Sequence, residues 1–171
     1  MKYEIGRSVG VMANVGLAVL CLTVSAAVVK RVFWEARPQV PPGQVKAGDR
    51  VVIPNAKLGP GDTAVLVLRE GCPYCKASAP LYKQLLDAAR PGRGTRVIAA
   101  LPGPVESARK YLASLGLDIS DVYEVRLGQI HVRGTPTLLL LNEAGVVKRA
   151  WFGQQPAGQN AAIIRGITGG N

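Results

Sequence analysis

Residues 69–76 read Arg69-Glu70-Gly71-Cys72-Pro73-Tyr74-Cys75-Lys76. Two cysteines stand two residues apart. The apolar run Ala64-Val65-Leu66-Val67-Leu68 precedes them, and Leu81, Leu85, Leu86 and Ala89 follow at three-to-four spacing. The first pattern reads as a buried strand and the second as one face of a helix. Cys72 therefore falls in the first turn of a helix that leaves a strand. Unpaired N–H groups and the positive end of the helix dipole favour a thiolate there. A thiolate is the nucleophile of thiol–disulfide exchange, and Cys75 is near enough to attack a mixed disulfide and release the partner.

The chain has 171 residues, 48% of them hydrophobic. That length holds one ordinary domain with something left over. The formal charge is +10, but Lys and Arg are scattered and no basic run is interleaved with aromatics. Nucleic-acid binding is not expected. Association with a membrane surface is, because Lys30, Arg31 and Arg37 follow a hydrophobic span. There are three cysteines. Cys21 lies in an apolar run and reads as a small hydrophobe, so the chain is no disulfide framework.

Four segments follow in order. Residues 1–8 form a short polar tail. Residues 9–29 (VGVMANVGLAVLCLTVSAAVV) carry no charge and have the length of a bilayer span. A transmembrane anchor is expected there. A secretory signal peptide cleaved after Val24-Ser25-Ala26 is the alternative, against which the apolar run continues past that site. Leu20, too bulky beside Cys21, argues against a lipoprotein signal. Lys2 and Arg7 precede the span, and Lys30, Arg31 and Arg37 follow it. A simple count puts the C-terminal side in the cytoplasm, whereas a short tail leading directly into an apolar run is the layout of a signal anchor. The placement adopted is a single pass through the inner (cytoplasmic) membrane, with the domain on the periplasmic side. Residues 30–62 are a Pro/Gly-rich linker, extended and semi-stiff, that passes into the first edge elements. Arg50–Ile53 is expected to be a short edge strand stopped by Pro54.

Residues 63–171 alternate as an α/β domain. Strands are expected at 64–68, 96–101, 138–141 and 146–152, with a further short one at 122–125. Helices are expected at 75–89 (kinked at Pro80), 105–115 and 161–167. Asn142-Glu143-Ala144-Gly145 reads as a hairpin turn. The order β-α-β-α-β-β-α implies a central sheet with helices on both faces.

Over residues 45–171 this pattern resembles the thioredoxin-like superfamily. Four features carry the resemblance, in order: the strand followed by Cys72-Pro73-Tyr74-Cys75-Lys76; Pro80, five residues after the second cysteine; Gly134-Thr135-Pro136-Thr137; and the closing hairpin at 142–145. The helix–strand insert between the pair and Pro136, together with the anchor, is similar to membrane-anchored TlpA-like redoxins. The dipeptide Pro73-Tyr74 looks like that of glutaredoxins. The resemblance implies a mixed sheet flanked by helices, with Cys72 and Cys75 catalytic. It also implies a cis Thr135–Pro136 bond beside the sulfurs, presenting the Thr135 backbone to an extended substrate and keeping metal off the thiols. The chain departs from thioredoxins in having Gly71 where they have Trp, and in lacking their Gly-Pro dipeptide. Leu66 and Leu68 stand where thioredoxins bury an aspartate, and Glu70, the nearest acid, is in the turn. Which group takes the Cys75 proton stays open.

Other readings of the pair are weaker. Zinc needs four ligands, and Cys72, Cys75, Cys21 and His131 make a poor set. A structural disulfide would close too small a loop to add much stability. A peroxidase would have a threonine three residues before Cys72, where Arg69 stands. Arg69 and Lys76 either lower the Cys72 pKa by charge or are plain solvated charges. His131 is expected on an edge strand as a surface histidine, and Trp151 and Phe152 in core or hairpin packing. The expected function is a membrane-anchored thiol–disulfide oxidoreductase. It would act on protein disulfide or thiol substrates, with no dissociable cofactor or metal, and exchange electrons with a membrane donor or acceptor. Reductase and oxidase directions stay open, because the reduction potential decides between them. The alternative is a non-enzymatic redoxin-fold scaffold in a membrane complex, or a module delivering metal or a cofactor.

Overall fold

The computed structural model describes residues 43–89 and 95–169. The tail, the expected anchor at 9–29 and the linker up to residue 42 lie outside them. Among the described residues no helix is long and apolar enough to cross a membrane.

The elements run β1 (Asp62–Val67), α1 (Pro73–Ala77), α2 (Ala79–Ala88), β2 (Thr95–Leu101), α3 (Val105–Ser114), β3 (Val122–Glu124), β4 (Thr137–Leu141), β5 (Val147–Phe152) and α4 (Asn160–Thr168), the last entered through a 3₁₀ turn at Ala157–Gln159. The five strands form one mixed sheet in the order β3-β2-β1-β4-β5. β1 pairs parallel with β2 and antiparallel with β4. It is therefore covered on both edges and both faces, which its unbroken apolar run requires. Val65 sits opposite Ile98 on one side and Leu139 on the other, and Leu66 opposite Ala99 and Leu138.

The period of two sorts these side chains into two cores. Ala64, Leu66, Ala99, Leu101, Leu138 and Leu140 face the helices, meeting Leu85, Leu112 and Ile163. Val65, Val67, Ile98, Ala100, Leu139 and Leu141 face the other way. Here the expectation of helices on both faces is corrected: all the described helices with buried apolar residues pack on the first face. The crossovers β1→β2 and β2→β3 step in the same direction along the sheet, and right-handed crossovers that do so lie on one side. The second face is closed by irregular chain instead. Val45, Val51 and Ile53 cover it from one segment, and Val125, Ile130 and Val132 from another. The two segments are tied together where Val45 N donates to the His131 carbonyl at 2.8 Å and Arg133 N to Gln44 Oε1 at 2.9 Å.

Other details differ from expectation. The helix expected at 75–89 begins at Pro73 and is two helices, broken at Ser78. Pro80 has no N–H to give to the Lys76 carbonyl, and the Ser78 N–H turns back to Lys76 and Tyr74 instead. Residues 122–124 do form a strand, so the order holds three strands after α3 rather than two. Arg50–Ile53 is reduced to a single bridge, Arg50 to Val146. His131 lies in a turn at φ +52° rather than on a strand. Trp151 and Phe152 pack against opposite cores.

The hairpin turn falls at 142–145. The Asn142 side chain accepts from the N–H groups of Ala144 (3.0 Å) and Val146 (2.9 Å). Gly145 has φ +75°, and a Cβ there would come within 2.9 Å of the Val51 carbonyl oxygen. Both the dihedral and the close backbone approach demand glycine. Gly145→Ala is expected to destabilise the full chain by about 1–3 kcal/mol, read as a lower urea midpoint with an unchanged slope.

Candidate active site

The site starts where β1 ends. Leu68 N still donates to the Ala100 carbonyl at 3.1 Å. Gly71, at φ +72°, then turns the chain, and Cys72 N donates to the Arg69 carbonyl at 3.3 Å. Cys72 is the N-cap of α1, extended at φ −78°, ψ 114°. Pro73 follows in the first turn, where its missing N–H costs nothing and its fixed φ suits a helix. Cys72 Sγ accepts the Cys75 N–H at 3.2 Å. A sulfur thus does what a hydroxyl or carboxylate oxygen usually does at a helix start.

A second strand-end loop meets the same sulfur. Cys72 Sγ–H donates to the Thr135 carbonyl at 3.4 Å, across 63 residues of chain. The Thr135–Pro136 peptide bond is cis, as the resemblance implied. The loop is fastened by Thr137 Oγ1 donating to the Gly134 carbonyl (2.8 Å) and by Gly153 N donating to the Pro136 carbonyl (2.8 Å). Both cysteines are free thiols. Cys72 is 4% exposed and Cys75 0%, so only Cys72 keeps a surface through which another sulfur can approach.

The environment splits the two acidities. Burial acts to raise the Cys72 pKa, but hydrogen bonds to its thiolate outweigh it. They come from the Cys75 and Thr135 side chains and from the Cys75 and Tyr74 backbone, and they bring the thiol below its ordinary value. The Thr135 carbonyl pulls the other way, since it accepts from the thiol and not from the thiolate. Cys75 is pushed up to about 11, first by burial and then by the hydrogen bond and charge of Cys72. Beyond Cys75, on its helix side, Tyr82 is raised by burial, and Tyr111 is raised by burial to about 12.

The other residues singled out in the sequence fall around this pair. Tyr74 is 61% exposed and lines a groove of about 420 Å³ with Gly153, Gln154, Gln155 and Pro156. Arg69 and Lys76 are exposed. The leading influences on Cys72 are burial and hydrogen bonds rather than their charges, while the Arg69 backbone N–H acts on Cys75. Among the described residues no group of three or more His, Cys, Asp or Glu could hold a metal ion. The sequence does not single out the loop 153–156, Ser78, Tyr82 or Tyr111 as part of the site. Ser78 and Tyr82 follow Cys75 at helical spacing, a signal that was available. Tyr111, on a separate helix, has no local signal of any place near the sulfurs.

No protein-family model and no curated protein matches the chain. Solved structures do. The thioredoxin domain of a thiol-disulfide oxidoreductase from Bacteroides vulgatus superimposes with TM-score 0.58 at 12% identity, covering 72% of this chain and 99% of that one. A thiol:disulfide interchange protein from Bacteroides sp. gives 0.55 at 10% identity, covering 75% and 94%. A thiol-disulfide isomerase from Corynebacterium glutamicum gives 0.50 at 17% identity, covering 78% and 99%. At such identities the likeness establishes the fold, and the fold of this chain is thioredoxin-like.

The split in acidity sets a measurable order of reaction. Because the thiolate is the reactive form, alkylation of the reduced full chain by iodoacetamide should label Cys72 first, with a half-maximal rate below the ordinary cysteine range. Cys75, its thiol pushed up by burial, should be labelled only at markedly higher pH than Cys72. Mass spectrometry of the labelled peptide distinguishes the two sulfurs.

Proposed function

We propose that this protein is a membrane-anchored thiol–disulfide oxidoreductase acting on protein substrates. The observation that carries this reading is the position of Cys72 Sγ. It accepts the Cys75 N–H at 3.2 Å and lies 3.4 Å from the Thr135 carbonyl. Cys72 attacks a substrate disulfide as a thiolate, and Cys75 resolves the mixed disulfide; in the opposite direction a substrate thiol attacks the Cys72–Cys75 disulfide. Thr135 and Pro136 hold the substrate backbone across the sulfur. Pro73, Tyr74, Arg69 and Lys76 frame the pair, and the Pro73-Tyr74 dipeptide tunes its potential. The names of the three structural neighbours, each a thiol–disulfide enzyme or interchange protein, agree with this chemistry.

In the same reading residues 1–8 are a cytoplasmic tail and 9–29 an anchor. Residues 30–62 start as a linker and end, from residue 43 on, in edge elements packed on the redox domain of 63–171, which lies on the periplasmic side of the inner membrane. The charge-free run of residues 9–29 supports the anchor. Tethering would raise the effective concentration of the domain near a membrane electron donor or acceptor.

Two measurements test this. The reduced full chain should speed reduction of insulin disulfides by dithiothreitol, and Cys72→Ser should return the rate to that of dithiothreitol alone. In Cys75→Ser cells, mixed disulfides should accumulate that disappear on reduction, and mass spectrometry of the trapped species identifies the substrates. Insulin reduction that survives Cys72→Ser would remove the enzymatic reading. Separately, the full chain should stay in the membrane pellet through an alkaline carbonate wash; release into the supernatant would remove the anchor.

A further inference from the structure

The inner side of Cys75 is not purely apolar. Ser78 lies one turn beyond it, where α1 gives way to α2, and is 5% exposed. Its hydroxyl is buried and has no hydrogen-bond partner in the protein. The Tyr111 hydroxyl on α3 is also buried and also without a partner. Tyr111 packs against the core that contains Cys72, Cys75 and Tyr82. Tyr82, one turn beyond Ser78, is 2% exposed. It senses the Ser78 hydroxyl, though the two do not meet with the geometry of a formed bond. Two buried, unpaired hydroxyls in one packed layer are the sort of groups that proteins satisfy with internal water.

Meanwhile the Cys75 thiol must lose a proton to work, and the end of the strand that leads into the pair carries Leu66 and Leu68 rather than an acid; Asp62, at the far end of β1, is paired with Lys148. We propose that the Ser78 and Tyr111 hydroxyls hold water against Cys75, and that this hydroxyl–water set carries the Cys75 proton when the mixed disulfide is resolved. The inference rests on the exchange chemistry proposed above and assigns a route for its proton. Ser78 and Tyr111 are positioning residues in it. The groups that act on Cys75 are the Cys72 sulfur, the Thr135 side chain and the Arg69 backbone N–H, and the charge of Cys75 is felt in turn by the Tyr82 and Tyr111 phenols. Glu70, exposed in the turn, adds its charge to the influences that raise Tyr111. Both phenols are raised by burial. They therefore act as neutral donors and acceptors and pass a proton along without keeping it.

The step balances as follows. Cys75 S–H gives its proton to the held water, which passes one on to solvent. The Cys75 thiolate forms a bond to Cys72 Sγ. The bond between Cys72 and the substrate sulfur breaks, and its electron pair leaves on the substrate thiolate, which takes a proton from solvent. The two enzyme sulfurs end oxidised to a disulfide, and the substrate sulfur ends reduced.

A stopped-flow reaction of the reduced full chain, in a Cys21→Ala background, with a disulfide that releases a coloured aromatic thiolate separates the stages. The first phase reports attack by Cys72, and the second reports resolution by Cys75. In the Ser78→Ala, Tyr111→Phe double variant the first phase should be unchanged. The second should slow about 100-fold at pH 7 and approach the wild-type rate at alkaline pH, where Cys75 ionises unaided. Ser78→Thr with Tyr111 intact, which keeps both hydroxyls, should restore the second phase at pH 7. A second phase with an unchanged pH profile, or one slowed equally at every pH, would overturn the proton route while leaving the exchange reading in place. Absence of the first phase in the wild-type chain would overturn the exchange reading, and this inference with it.

Discussion

The hydrogen bond from the Cys75 backbone to the Cys72 sulfur is the contact on which the site turns. It caps a helix, and it also solvates a nucleophile. One donor serves both purposes, so the condition for starting α1 and the condition for stabilising negative charge on Cys72 are the same. Gly71 supplies the turn before it, and Pro73 supplies a helix start with no N–H to satisfy. The geometry of the pair follows from backbone and sulfur alone, without an ionised side chain.

Around that bond the protein places two chemically identical groups in unequal surroundings. Cys72 sits among donors and keeps a little surface; Cys75 has none and lies within the helix-side core. Neighbouring ionisable groups whose acidities are driven apart can take different roles in one reaction. Here the outer sulfur is ready to attack, and the inner one is held as a neutral thiol until the outer sulfur is bonded to something else. Once Cys72 is in a disulfide its charge is gone, and one of the influences that keeps Cys75 protonated goes with it.

Much of this was legible in the chain, because the relevant signals are local. The apolar run 64–68 reads as a central strand, since only a strand covered on every side can be so uniformly apolar. The pair at 72 and 75 falls at a strand–helix turn because the hydrophobic period changes across it. The hairpin at 142–145 announces itself through Asn142 and Gly145. Less legible were features that depend on where chain segments meet. The period of α3 does not reveal which face of the sheet it covers; the direction in which successive parallel strands are added decides that. The helix break at Ser78 is set by Pro80 through a missing bond to Lys76, two residues upstream of the break. Tyr111 reaches the surroundings of Cys75 only because α3 folds onto the same side as α2.

Placing every buried helix on one side leaves the sheet half-clothed. Val65, Val67, Ile98, Ala100, Leu139 and Leu141 depend for their cover on Val45, Val51 and Ile53, which come from the stretch joining the domain to whatever precedes it. A connector with free ends would let the domain swing like a weight on a string. This one is stitched down before the first strand begins, at Gly48, Asp49 and Val51. Any pull on this segment would be felt first by the floor of the core, and only afterwards by the sulfurs above it. The segment from residue 43 to the first strand therefore belongs to the hull of the domain.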